Sequence, residues 1–102
     1  YTQSVRIVYS GASKDAVRAA AEKDAAELNQ WIDANGMRRD IVHLRATEAP
    51  IKLLRGEYRW HLFLKMYFKG DLDAVCRKMQ AMAENAEEGV RAAMEVNPNN
   101  MY

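Results

Sequence analysis

Two periodicities divide the chain. Over residues 3–9, Val5, Ile7 and Tyr9 fall on one side and Arg6, Val8 and Ser10 on the other, a spacing that predicts a strand. Gly11 closes it, and Ser13 is placed to cap a helix. From Lys14 to Ala34 the segment is rich in Ala, Glu and Lys, all good helix formers. There Val17, Ala21, Ala25, Leu28 and Ile32 recur every three or four residues as one apolar stripe. Asn35-Gly36 predicts a left-handed stop. Alternation returns over 40–47, with Val42, Leu44 and Ala46 on one face and Ile41, His43 and Arg45 on the other. Pro50 and Gly56 bracket an expected loop. The strongest strand pattern follows, from Tyr58 to Phe68. Tyr58, Trp60, Leu62, Leu64, Met66 and Phe68 form a wholly apolar face, and Arg59, His61, Phe63, Lys65 and Tyr67 form the other. Gly70 turns the chain and Asp71 caps a second helix, whose stripe is Leu72, Val75, Cys76, Met79, Met82 and Ala86. A last alternation over 90–96 puts Val90, Ala92, Met94 and Val96 inward. Pro98 ends it, and the Asn-rich tail is expected to fray.

The order β-α-β-β-α-β is that of the ferredoxin-like fold. The expectation is an α+β two-layer sandwich, with two helices on one face of a four-stranded antiparallel sheet. The 102 residues suit one domain, spanning 1–102, that can bury a single core without staples. Apolar residues are 49 % and charged residues 28 %, which excludes pervasive disorder. No apolar run approaches the ~18 residues a membrane span needs, and the N-terminus lacks the pattern of a secretory signal. The chain reads as a cytoplasmic domain excised from a larger protein. A lone cysteine, Cys76, excludes an intrachain disulfide and Cys-based zinc sites; on an apolar stripe it reads as a small buried hydrophobe.

Dividing the net charge of +1 changes the picture. Residues 38–69 hold eight Lys/Arg against three Asp/Glu, and the remainder holds seven against eleven. The acidic residues Glu22, Asp24, Glu27, Glu84, Glu87 and Glu88 read as solvated helix faces. On the sheet, parity places Arg6, His43, Arg45, Arg59, His61, Phe63, Lys65, Tyr67 and Arg91 on the side away from the helices. Cations there neutralise phosphates and aromatic rings stack on unpaired bases. The aromatic-rich signature of RNA-recognition domains is not present. Domain docking would also suit this face.

Catalysis finds little support. There is neither a phosphate-cradling Gly-rich loop nor a serine nucleophile elbow. His43 and His61 share a face and are expected to be cross-strand neighbours, but two histidines without a third ligand make a poor metal site. Trp60 reads as core, and Trp31 as edging it.

Over residues 49–65 the segment APIKLLRGEYRWHLFLK resembles the C-terminal domain of the primosomal protein N′ family, the bacterial replication-restart DNA helicases. The matching positions are Ala49, Pro50, Ile51, Leu54, Arg55, Gly56, Tyr58, Arg59, Trp60, Leu62, Leu64 and Lys65. The family closes on a Val-Asp-Val-Asp-Pro strand end. Met94-Glu95-Val96-Asn97-Pro98 stands here, departing at both acidic positions. The resemblance is specific over 49–65 and looser over the rest.

It implies a non-catalytic domain that binds single-stranded or branched DNA. Arg45, Arg55, Arg59, His61, Phe63 and Lys65 are the contact candidates. The helicase lobes, ATP site and zinc-binding segment lie elsewhere in such a protein, so no cofactor is expected in this chain. Glu57 and His61, flanking the Tyr-Arg-Trp core, are candidates for contact with single-stranded DNA-binding protein. Two alternatives remain: a docking module for the helicase lobes, or a ferredoxin-like domain that binds a small regulatory ligand.

Overall fold

Both helices begin at the caps the sequence offers. Ser13 Oγ accepts the Ala16 N–H at 3.2 Å, and Asp71 Oδ1 accepts the Ala74 N–H at 3.0 Å. The first helix ends on Gly36 at φ 67°, where the Met37 N–H reaches the Ile32 carbonyl at 3.0 Å and the Gly36 N–H that of Asp33 at 3.2 Å. This paired arrangement satisfies carbonyls the helix would otherwise leave open.

The computed structural model describes residues 2–97, and for 50–54 the backbone alone. The expected Pro98 stop and fraying tail lie outside the described residues. The elements are β1 (Thr2–Gly11), α1 (Lys14–Ala34), a 3₁₀ turn (Arg38–Asp40), β2 (Ile41–Leu54), β3 (Glu57–Tyr67), α2 (Leu72–Glu84) and β4 (Arg91–Val96). The sheet runs β2-β3-β1-β4 and every pair is antiparallel. Helix α1 lies over β1, β2 and β3, and α2 over β1 and β4. The core between the layers is built on Val5, Ile7, Leu62, Leu64 and Met66 from the central strands and Val17, Leu28, Ile32, Val75 and Met79 from the helices, all fully buried. Opposed pairs Ile7–Leu62 and Val5–Leu64 join the two middle strands across this face. Gly11 must lack a side chain: a Cβ there would strike the Gly89 carbonyl oxygen.

The second strand departs from its sequence reading twice. Val42 is an extra residue at a bulge between Ile41 and His43, which turns Ile41 toward the core and leaves Val42 exposed, the reverse of the expected parity. The loop expected from Pro50 to Gly56 is mostly strand. Ladder pairing runs on to Leu53–Tyr58 and Leu54–Glu57, and Pro50 falls in the irregular stretch between Glu48 and Leu53. An irregular stretch of an edge strand tolerates the missing N–H. The reversal is therefore a two-residue hairpin turn, with Arg55 at φ 55° and Gly56 at φ 79°. Two successive left-handed residues define the tight type I′ turn, which matches strand twist. A non-glycine residue in that conformation costs roughly 1 kcal/mol.

Three apolar positions are shallower than their pattern implies. Phe68 lies past the end of β3 and is 64 % exposed, and Val96 near the end of β4 is also exposed. Trp60 is half-buried, packed against the core with the Arg18 guanidinium 5.9 Å from its ring. Trp31 edges the core as its spacing indicates.

Candidate functional site

Strand register assembles the open face in rows. His43, Lys65 and Ser4 lie abreast; next come Arg45, Phe63, Arg6 and Glu95; then Thr47, His61, Val8 and Ala93; last Arg59, Ser10 and Arg91. Parity placed these side chains on the right face but said nothing of their depth.

The centre of the face is sunken. His61 has no exposed surface, and neither ring nitrogen meets a hydrogen-bond partner. Burial, aided by the charges of Arg6 and Arg59, pushes its pKa down to about 4. The ring is thus neutral near pH 7 and inaccessible, which corrects its assignment as a contact for bases or a partner protein. His43 and His61 are not cross-strand neighbours either: His43 opposes Lys65, and His61 opposes Thr47. The position of the hairpin turn and the register shift between Glu48 and Leu53 set that offset. Arg6 is equally withdrawn, 3 % exposed, and its Nη2 donates to Glu95 Oε2 at 2.7 Å. It is part of the sheet's own electrostatics rather than an open contact. Two residues past Glu95, Asn97 Oδ1 accepts the Ser4 N–H at 3.0 Å and ties the end of β4 to β1.

Two groups of side chains remain at the surface of this face. On the β2–β3 side, Arg45 and Lys65 are exposed around a half-buried Phe63, whose ring is tilted 53° to that of His43 at a centroid distance of 6.0 Å. Tyr67 is exposed at the same end. At the opposite end, Ser10, Arg55, Glu57, Arg59 and Arg91 line a hollow of about 220 Å³. There Arg91 grips Glu57 with both terminal nitrogens, Nη1 donating to Oε2 at 2.8 Å and Nη2 to Oε1. These bonds hold the Glu57 carboxyl below the usual carboxylate range and raise Arg91. Of the sequence-named candidates, the fold thus groups Arg45, Phe63 and Lys65 in one place and Arg55, Glu57 and Arg59 in another.

The helix side holds a feature the sequence reading missed. The buried Tyr9 hydroxyl donates to Asp24 Oδ2 at 2.7 Å. Asp24 is therefore not simply a solvated carboxylate: burial raises its pKa, against the lowering pull of that hydrogen bond. Burial also raises the Tyr9 hydroxyl strongly. The signal was present in the spacing, since Asp24 stands three residues after Ala21 and four before Leu28, on the buried stripe itself. Above it, a groove lined by Lys23, Glu27, Lys78 and Asn85 runs between the helices, and Lys78 Nζ donates to Glu27 Oε2 at 2.7 Å. Cys76 is half-buried, and burial pushes its thiol up. Among the described residues, no group of three or more His, Cys, Asp or Glu is placed to hold a metal, and no helix is long and apolar enough to cross a membrane.

No protein-family model and no curated protein matches the chain. Similar solved structures include a de novo designed protein, Foldit4, at 12 % identity and a TM-score of 0.60, covering 98 % of this chain and 100 % of that one. An ACT domain protein from Streptococcus pneumoniae is 16 % identical with a TM-score of 0.50, covering 98 % of each chain. A dimeric ferredoxin-like protein from an uncultured marine organism is 6 % identical with a TM-score of 0.51, covering 94 % of each. At these identities the likeness is one of fold, and together with the observed topology it establishes an α+β ferredoxin-like domain.

Proposed function

We propose that this chain is a non-catalytic nucleic-acid-binding and interaction domain of a replication-restart helicase, and that it contacts single-stranded or forked DNA through the β2–β3 half of its open face. The observation that carries this reading is the surface patch itself. Two exposed cations, Arg45 and Lys65, flank the rings of Phe63 and His43 on adjacent strands. Guanidinium and ammonium groups engage phosphates without reading sequence, and rings beside them offer stacking surfaces to unpaired bases. The Arg55-Gly56-x-Tyr58-Arg59-Trp60 motif supports the same reading through its resemblance to the restart helicases. In such a protein, ATP and zinc would be bound by other domains, and helicase lobes and single-stranded DNA-binding protein would be neighbours of this one.

The test is fluorescence anisotropy with a labelled oligothymidylate across a salt series. Binding is expected to be weak and salt-sensitive. Replacing Arg45 and Lys65 together by Ala should weaken it for every sequence and reduce the slope of log affinity against log salt by about 1.4, since each single-strand phosphate contact contributes about 0.7. Absence of binding at low salt would overturn the reading. It would leave docking on helicase lobes, or a small regulatory ligand, as the role of a fold that hosts many functions.

A further inference from the structure

The far end of the open face carries a second arrangement that the β2–β3 patch does not use. Arg59 on β3, Ser10 on β1 and Arg91 on β4 form one row across three strands, and the hairpin turn brings Arg55 to the same hollow. Arg55, Arg59 and Arg91, from three separate segments, line the hollow with Glu57, whose carboxylate is held by Arg91. Arg55 occupies a left-handed turn position where Gly, Asn or Asp is the low-energy choice. A cation kept at such a position points to a role for its side chain. The Arg91–Glu57 pair also shows what the hollow accepts: a planar oxyanion held by two parallel N–H donors. Beside it, Val8, Ala92 and Ala93 line a shallow, mostly apolar depression that shares Ser10 and Arg91.

We infer that Arg55, Arg59, Arg91 and Ser10 form a seat for a phosphate group, with Glu57 as a built-in carboxylate that occupies the Arg91 fork until a phosphate displaces it. Among the described residues, Arg55 brings to the hollow a cation beyond the Arg91 that Glu57 neutralises, positive charge that a phosphate would compensate. A phosphate has more acceptor oxygens than the carboxylate it replaces, enough to engage the Ser10 hydroxyl as well as the guanidiniums. The depression over Val8 and Ala93 leaves room for the sugar or base attached to that phosphate. The phosphate belongs either to a nucleic-acid strand or to a free phosphate ion. The seat is separate from the Arg45–Lys65 patch and does not require that patch to bind DNA.

The test is a pair of NMR titrations of the isotopically labelled 102-residue chain, with inorganic phosphate and with the dinucleotide dTpdT. Shifts should concentrate at Ser10, Glu57 and Arg91 and at the Arg side-chain Nε signals. Arg91→Ala, at a solvent-exposed position, should abolish them. Glu57→Gln should tighten phosphate binding by roughly two- to fivefold, the range an exposed charge pair is worth. Response to both ligands, or to dTpdT alone, supports the seat and tells free phosphate from a strand phosphate. Shifts confined to Arg45 and Lys65, or an affinity unchanged in both variants, would overturn it. Oligothymidylate binding that survives Arg91→Ala without phosphate shifts sinks the seat alone. Phosphate shifts without oligothymidylate binding sink only the DNA reading.

Discussion

The two faces of the sheet hold side chains in different ways. On the helix-covered face, Val5, Ile7, Leu62, Leu64 and Met66 belong to one apolar cluster, and their burial follows directly from alternation. On the open face, equally buried positions are polar: Arg6 is held by Glu95, and His61 sits with both nitrogens unpartnered. The first face is stabilised by area removed from water, in proportion to the carbon it buries. The second carries desolvation costs that only specific partners offset. Its charge also divides, with Arg6 and Arg91 held in ion pairs by Glu95 and Glu57 and with Arg45 and Lys65 exposed on β2 and β3. Depth and charge pairing, rather than composition, single out the surfaces of this sheet that are available to a ligand.

Truncating the covered face should show the largest effect. Leu64→Ala should cost about 2–5 kcal/mol in denaturant unfolding, as for any well-packed buried leucine. A loss under about 1 kcal/mol would mean that this face is not the core.

Acid should separate the faces next, through His61. Its folded pKa of about 4 lies below the ordinary 6.5, so protonation favours the unfolded chain. This contribution to stability is complete above pH 6.5 and is lost as the pH falls from about 6.5 toward 4, by at most about 3 kcal/mol. Because carboxylates titrate in part of the same window, the informative quantity is the difference between wild type and His61→Leu. The variant should decline less over that interval. Parallel curves would show that His61 is charged or solvated in the folded protein.

A smaller effect is expected from the Tyr9–Asp24 hydrogen bond between the layers. Tyr9→Phe removes the donor to Asp24 and leaves a partly desolvated carboxylate, at a cost of about 1–2 kcal/mol. Equal stability of the two proteins near pH 7 would place Asp24 in solvent. The smallest change in stability, within about 0.5 kcal/mol, should accompany the paired Arg45 and Lys65 substitutions that flatten the salt dependence, since exposed positions away from special features contribute little.

Much of the architecture is local and was legible in the residues. The stripe of α1, its Ser13 cap and its Gly36 stop, the Asp71 cap of α2 and the long alternation of β3 each rest on contacts a few residues apart. Their order then led to the ferredoxin-like sandwich. The motif around Arg59 and the pairing of a cation with an aromatic ring on alternate positions were visible in the same way.

Tertiary structure decided the rest. A period of two assigns a side chain to a face but not to a depth. Depth at His61 depends on rows completed by β1, β2 and β4, which lie far from it in the chain. Likewise, the Arg91–Glu57 and Arg6–Glu95 pairs join residues 34 and 89 positions apart, separations at which no local pattern can show which charges meet. The bulge at Val42 and the continuation of β2 past Pro50 arise because β3 offers a partner along its length, and ladder pairing outweighed a local loop signal. Short-range spacing sufficed for elements that satisfy themselves, whereas the candidate surfaces depend on which neighbours the folded sheet brings to each charge.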